Sequence, residues 1–230
     1  MSDPAAAYKR QAAEAALEQV RSGMVLGLGT GSTAAFVIAG VGERLADGRL
    51  KDITAVPTSL ATAGQAETAG IPLVGLRRGG IDLAIDGCDE FDPALDLIKG
   101  LGGALTREKL VAREAERFLV VADDSKAVNR LGEKAPVPVE ILEFGHAATL
   151  ARLGELGGTV ELRRAAGGAP VVSDNGNLIA DFRPDGPFSA EELGRQLKAV
   201  TGVLEHGLFP GLADEVLVAG AGGVRTVSAG

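Results

Sequence analysis

Residues 85–109 read IDGCDEFDPALDLIKGLGGALTREK, a stretch dense in groups that move protons or balance charge. Asp86, Asp89 and Glu90 open it. Lys99 precedes a glycine run, and Thr106, Arg107, Glu108 and Lys109 close it. A segment that only had to fold would not need so many acids and glycines between two apolar runs. Carboxylates three residues apart, on a turn or a helical start, can face one cleft, where they bond sugar hydroxyls and pass protons between oxygens. A purely structural reading also fits, with Asp86 and Asp89 capping the following turn. Lys99, on a flexible loop, can pair with a carboxylate or offset negative charge developing on oxygen. Glu108 falls on the next helix, where taken alone it also fits an exposed acid on a charged face. Glu90 and Asp92 are expected either at the solvated rim or behind the residues that meet substrate. A metal held by Asp86, Asp89 and Asp92 lacks both EF-hand spacing and a nearby histidine.

A second loop, Gly27-Leu28-Gly29-Thr30-Gly31-Ser32-Thr33, follows a short apolar run and opens a helix. The first amides of a helix have no intrahelical partner, and the helix dipole favours an anion there. Gly29 and Gly31 let the backbone approach, while Thr30, Ser32 and Thr33 offer hydroxyls. The loop lacks the GK[ST] ending of a Walker A motif and the third glycine of G-x-G-x-x-G. GxGxG also occurs in methyl-donor nucleotide sites. Two readings stay open: an anion site, or a tight strand-to-helix turn with Ser32 as its N-cap. Lys126 follows an apolar run through Asp123-Asp124-Ser125 and could reach the same region. Periodicity does not place Lys9. His146 at a helix start, His206 in a turn and Cys88 in a crowded loop are not read as catalytic.

The elements that must position these groups alternate. Helices are expected over 5–21, 34–45, 60–69 and 105–114, and strands over 24–28, 53–56, 71–76, 83–85 and 118–122. That order predicts a parallel sheet with helices on both faces and ligands beyond the carboxyl ends of its strands. The pattern changes near Pro136-Val137-Pro138. Strands over 137–142, 159–163, 178–182 and 203–205, with helices over 146–156 and 189–200, give a ferredoxin-like α+β order. Ser189 and Glu192 form a capping-box pattern. The turn Ser173-Asp174-Asn175-Gly176-Asn177 is expected to join the second and third of these strands. Two tail strands, 215–219 and 224–227, return to the first domain. The expected division is 1–130 with 207–230 as an α/β domain, and 131–206 as an insertion.

A chain of 230 residues, 46% apolar, can bury a sizeable core. Its net charge of −8 argues against wrapping nucleic acid or lying on an anionic membrane. One cysteine allows no internal disulfide and fits a reducing compartment. Two histidines and one cysteine far apart make a His/Cys metal site a poor fit. With no long apolar run or signal segment, the expected location is the cytoplasm.

Taken together, GLGTGSTA, DGCDE, KGLGGALTREK, DDSK, the SDNGN turn and GLF resemble ribose-5-phosphate isomerase of the A type, over essentially the whole chain. The resemblance implies an open Rossmann-like parallel-sheet domain with an inserted ferredoxin-like α+β domain. It implies cofactor-free interconversion of ribose 5-phosphate and ribulose 5-phosphate, without a metal, in a homodimer or homotetramer. Glu108 matches the base, Asp86 the acid of ring opening, Asp89 its partner at the sugar hydroxyls, and Lys99 the lysine beside them. Gly29, Thr30, Gly31, Ser32 and Thr33 match the phosphate-side loop. Lys126 matches a ligand lysine, and Lys9 more loosely an N-terminal one.

The chain departs from the family pattern at Leu101 in the glycine run, whose bulk could restrict φ, at Cys88 and at Leu60. Leu101 and Cys88 remove no polar group the mechanism uses, so both read as neutral or as small changes of shape. Competing readings are a methyl-donor-dependent transferase, a non-catalytic sugar-phosphate sensor of the same fold, and an isomerase-deaminase of amino-sugar phosphates. The first leaves the spacing of Asp86, Asp89, Lys99 and Glu108 unexplained. The second generally carries a DNA-binding domain, and only one helix precedes the first strand here.

Overall fold

The computed structural model describes residues 4–228. Its first part runs α1 (Pro4–Leu17), β1 (Val25–Leu28), α2 (Ser32–Ala46), β2 (Thr54–Pro57), α3 (Leu60–Thr68), β3 (Leu83–Asp86), β4 (Glu90–Phe91), β5 (Leu97–Ile98), α4 (Leu105–Arg113) and β6 (Phe118–Asp123). A 3-10 turn, Asp124–Lys126, leads to β7 (Val137–Ile141), α5 (His146–Gly154), β8 (Gly158–Leu162), β9 (Leu178–Pro184), α6 (Ala190–Ala199), β10 (Val203–His206), β11 (Leu208–Phe209), β12 (Glu215–Gly220) and β13 (Gly223–Ser228). The chain forms two compact units. One comprises Met1–Cys88, Arg107–Ala127 and Gly211–Gly230, the other Asp89–Thr106 and Val128–Pro210.

The first unit is built on a sheet of order β13-β12-β6-β3-β1-β2. β12, β6, β3, β1 and β2 are parallel, and β13 returns antiparallel at the edge. β3 and β6 are buried at every position, as expected of parallel strands covered on both faces. From β1 the chain moves to β2 on one side, and β3 then takes the other side. That reversal opens the kind of crevice in which α/β sheets hold ligands. The loops after β1, β3 and β6 leave neighbouring strands at one edge of the sheet. In the core, Ala12, Ala13, Ala16 and Leu17 of α1 join Val37, Ile38 and Val41 of α2.

The second unit has an antiparallel sheet of order β10-β7-β9-β8. With α5 after β7 and α6 after β9, this is the ferredoxin-like arrangement. Ser189 caps α6, accepting from the Glu192 N–H. A small sheet, β11-β5-β4, belongs to the same unit. Residues 89–106 pack with this unit because β4 pairs with β5 and β5 with β11.

The structure differs from expectation in several places. α1 stops at Leu17, not residue 21: the Gln19 and Val20 amides bond the Ala16 and Leu17 carbonyls three residues back, and the Arg21 guanidinium bonds the Glu18 and Val20 carbonyls that follow. Residues 71–76 make only one bridge, Leu73 to Ala55. Pro72 has no N–H to offer a ladder, so only its carbonyl and the Val74 amide bond Ala55 before the chain peels away. Two-residue strands β4, β5 and β11 are too short for any periodicity to reveal. His206 ends strand β10 instead of sitting in a turn, and its Nδ1 accepts from the Leu208 N–H at 3.2 Å.

Candidate active site

In the first unit, pairing between β1 and β3 continues one step past the strand, where the Gly29 N–H donates to the Ile85 carbonyl at 3.0 Å. Asp86, the last residue of β3, is therefore laid against the glycine loop. The Thr30 N–H donates to its Oδ1 at 3.0 Å and the Gly87 N–H to the same oxygen at 2.7 Å. Two backbone donors on one oxygen set the plane of the carboxylate. Asp86 is 3% exposed. A Cβ at position 29 would lie 2.1 Å from Oδ1 and 2.6 Å from the Asp86 Cα, so only glycine allows this approach.

The loop's hydroxyls divide. Thr30 Oγ1 is taken up by a cluster that the sequence reading missed: Thr58 Oγ1 at 2.7 Å, Ser59 Oγ at 2.9 Å and Thr62 Oγ1 at 3.1 Å. Thr58 and Thr62 in turn donate to the Leu28 and Gly29 carbonyls at 3.0 and 2.8 Å. Pro57-Thr58-Ser59, which turns β2 into α3, thus braces the glycine loop from behind. Ser32 is the first residue of α2. Its N-cap is Gly31, which has no side chain to cap with, so the expectation of Ser32 as cap does not hold. Ser32 Oγ, exposed, accepts from Lys9 Nζ at 3.0 Å, which places Lys9 beside the loop. Thr33 is half-buried on the first turn of α2.

Glu108 sits in the first turn of α4, where the helix dipole favours a carboxylate. It is only 6% exposed, so it is not the surface acid that composition allows. The face of α4 is inverted: Glu108 and Lys109 are buried while Leu110 is 49% exposed. Burying two charges and exposing a leucine is costly unless the charges are used. Lys126, half-buried, ends the 3-10 turn at the carboxyl end of β6, and Asp123 Oδ1 accepts from the Ser125 N–H within that turn.

The second unit holds Asp89 and Lys99. The Asp89 N–H donates to the Ile98 carbonyl at 2.8 Å, and its Oδ2 accepts from the Leu101 N–H at 2.9 Å. The Lys99 N–H donates to the Gly207 carbonyl at 2.8 Å. Its Nζ lies 5.6 Å from the centre of the Phe209 ring, within reach of a cation–π contact. Lys99 is 2% exposed. The left-handed turn after it falls on Gly100 (φ 101°), while Leu101 has ordinary φ and points outward, so its bulk restricts nothing.

Two buried acids escaped the sequence reading of this unit. Glu90 is fully buried, not at a solvated rim, and accepts from the Gly132, Lys134 and Ala135 amides at 2.6, 2.5 and 2.6 Å. Glu140 on β7 is also fully buried. Its Oε1 accepts from Ser173 Oγ at 2.6 Å and Asn177 Nδ2 at 2.9 Å, and its Oε2 from Thr106 Oγ1. The SDNGN turn was the only signal for it. Thr106 lies in the first turn of α4, two residues before Glu108. Among the described residues no cluster of three or more His, Cys, Asp or Glu side chains could hold a metal ion, and no helix is long and apolar enough to cross a membrane.

A family model described as ribose 5-phosphate isomerase A (phosphoriboisomerase A) matches residues 54–223. The ribose-5-phosphate isomerase A of Roseiflexus sp. (strain RS-1) is 52% identical over 218 residues, covering 94% of each chain. Among solved structures, ribose 5-phosphate isomerase from Plasmodium falciparum is 38% identical with a TM-score of 0.93, covering 97% of this chain and 98% of that one. A D-ribose-5-phosphate isomerase in complex with phospho-erythronic acid is 38% identical with a TM-score of 0.93, covering 96% and 98%. With a family model spanning most of its length and a relative at this identity over nearly all of it, the chain belongs to the ribose 5-phosphate isomerase A family.

Proposed function

We propose that this chain interconverts D-ribose 5-phosphate and D-ribulose 5-phosphate in the non-oxidative pentose phosphate pathway. The observation that carries the reading is the match at 52% identity over 94% of the chain to a protein named for this activity. The methyl-transferase and sensor readings gain no comparable support. A related isomerase is solved with phospho-erythronic acid, and this supports a site for a phosphorylated sugar-like acid here.

The residue roles rest on the family motif together with the chemistry of the groups. Glu108 takes the proton from C2 of the open-chain aldose. The electron pair left behind forms the C1–C2 double bond of a cis-enediolate, and the carbonyl oxygen becomes an oxyanion. Glu108 then returns the proton to C1, while a proton leaves O2 and one reaches O1. Asp86 carries that oxygen-side traffic and the ring opening before it, and Asp89 bonds the sugar hydroxyls. Lys99 offsets the enediolate charge. Ser32 and Thr33 at the start of α2, with Lys126 and Lys9, hold the phosphate. Gly29, Thr30 and Gly31 shape the loop, the Gly29 and Thr30 N–H groups and the Thr30 hydroxyl being already bonded within the protein. One proton moves between adjacent carbons, so the substrate is its own oxidant and reductant and no cofactor is needed to balance the reaction. A glutamate base with an electrophile on the oxygen side divides the work as in triosephosphate isomerase. We propose further that the enzyme works in the cytoplasm as a homodimer or homotetramer, and that its acidic charge keeps it off nucleic acid.

A coupled assay with ribose 5-phosphate tests this reading. Turnover without added cofactor is expected, with a loss of at least about 100-fold in kcat for Glu108→Gln. A parent protein that does not turn over, or a Glu108→Gln enzyme as fast as the parent, overturns it.

A further inference from the structure

Arg163 follows β8 in the second unit, and its side chain is 14% exposed. Its Nε donates to Asp181 Oδ2 at 2.8 Å, and its Nη2 bonds Asp181 Oδ1. The fork that remains points at the loop after Lys99: Nη1 donates to the Gly100 carbonyl at 3.0 Å and to the Leu101 carbonyl at 2.8 Å. The same loop is held from its other side, since the Leu101 N–H donates to Asp89 Oδ2. The peptide run from Lys99 to Leu101 is thus tied to one guanidinium by its carbonyls and to Asp89 by an amide. The Arg163 backbone is fixed as well, donating to the Ile179 carbonyl at 2.8 Å and accepting from the Val171 N–H at 2.9 Å.

We propose that Arg163, anchored by Asp181, is a positioning residue for the isomerisation, setting Lys99 and Asp89 through the Gly100 and Leu101 carbonyls. The inference rests on the roles given above to Lys99 and Asp89. A turn built on a glycine at φ 101° has little stiffness of its own, and two carbonyls held by one planar group supply it. Lysine cannot substitute, because a single ammonium cannot grip a carboxylate side-on and two carbonyls at once. Misplacement of a reacting group by about 1 Å costs on the order of 100-fold in rate. A group that only positions is expected to act on kcat more than on KM.

The test compares parent, Arg163→Lys, Arg163→Gly and Asp181→Asn for kcat, KM for ribose 5-phosphate and urea midpoint. We expect kcat to fall about 10- to 100-fold in both arginine variants, with KM changed less than about threefold. Guanidinium at concentrations well below denaturing should restore part of the Arg163→Gly rate, and ammonium should not. Asp181→Asn should show a smaller kcat loss with a midpoint near the parent's. It keeps the question answerable if the arginine variants do not fold. The proposal falls if a folded arginine variant keeps parental kcat, if the loss tracks only the fraction unfolded and guanidinium restores nothing, or if Asp181→Asn is indistinguishable from the parent. A parent enzyme without turnover sinks the isomerase reading itself, and this inference with it, which separates the two failures.

Discussion

The Thr30 N–H donates to Asp86 Oδ1 across 3.0 Å, joining the loop after β1 to the last residue of β3, 56 positions along the chain. The contact exists only because position 29 carries no side chain. A methyl there would stand 2.1 Å from Oδ1 and 2.6 Å from the Asp86 Cα, and backbone cannot yield as a flexible side chain can. We expect Gly29→Ala to destabilise the fold by about 1–3 kcal/mol, as overpacking does, and to cut kcat/KM by about 100-fold by displacing Asp86. A urea titration and a kcat/KM measurement check this. A variant with parental activity refutes the steric account.

Glu90 is expected to matter for stability rather than for rate. Its carboxylate receives three backbone amides from residues 132–135 in a fully buried setting. Glu90→Gln keeps the shape but loses the charge and turns an NH2 toward those donors. We expect a loss of about 2–4 kcal/mol in unfolding free energy, with kcat of the folded fraction within about twofold. An unchanged urea midpoint contradicts it.

The alternation of short buried runs with turn residues makes the parallel unit legible, because a strand covered on both faces reads as continuous apolar sequence. The ferredoxin-like order is legible for a similar reason, with Ser189 marking one helix start. Run 71–76 has the same look but lacks a ladder, since Pro72 cannot donate. Glu90 and Asp86 are both acids near strands, and nothing local tells a carboxylate that meets amides 42 residues away from one that meets a glycine loop. Burial at Glu108 is hidden for the same reason: Leu110 is the residue a local hydrophobic pattern would bury. Lys9 is placed by a contact 23 residues away, beyond any helical period.

Thr106 connects the buried Glu140 to the helix that carries Glu108. Thr106→Val keeps the branched shape and removes the hydroxyl. It should lower stability by about 1–2 kcal/mol and reduce kcat about 3- to 10-fold with KM little changed, since the first turn of α4 loses its tether. Thr106→Ser should restore most of both. If Ser and Val behave alike, the hydroxyl is not what holds the helix start.

The glycine run should tolerate change unevenly. Gly100 adopts φ 101°, and a Cβ there would lie 2.6 Å from the Leu105 Cβ. Gly100→Ala should therefore cost at least about 1–2 kcal/mol and most of the activity. Leu101→Ala, on an exposed side chain with ordinary φ, should change stability by less than about 0.5 kcal/mol and kcat by less than about twofold. Thermal midpoints and kcat for the two variants decide the matter. A severe Leu101→Ala defect means the leucine contacts substrate.

Lys9 and Ser32 offer a test of whether the N-terminal helix takes part in phosphate binding. Their 3.0 Å contact is exposed, so it adds little to folding, and neither substitution should move the urea midpoint by more than about 0.5 kcal/mol. If both bind phosphate equally in substrate and transition state, Ser32→Ala and Lys9→Met each raise KM with kcat nearly unchanged. The two groups touch, so the effects should not add. A double-mutant cycle on kcat/KM is expected to show a coupling of about 0.5–1 kcal/mol, because losing either partner also frees the other. Strict additivity means that Lys9 acts without Ser32. An unchanged KM in Lys9→Met removes Lys9 from the phosphate site altogether.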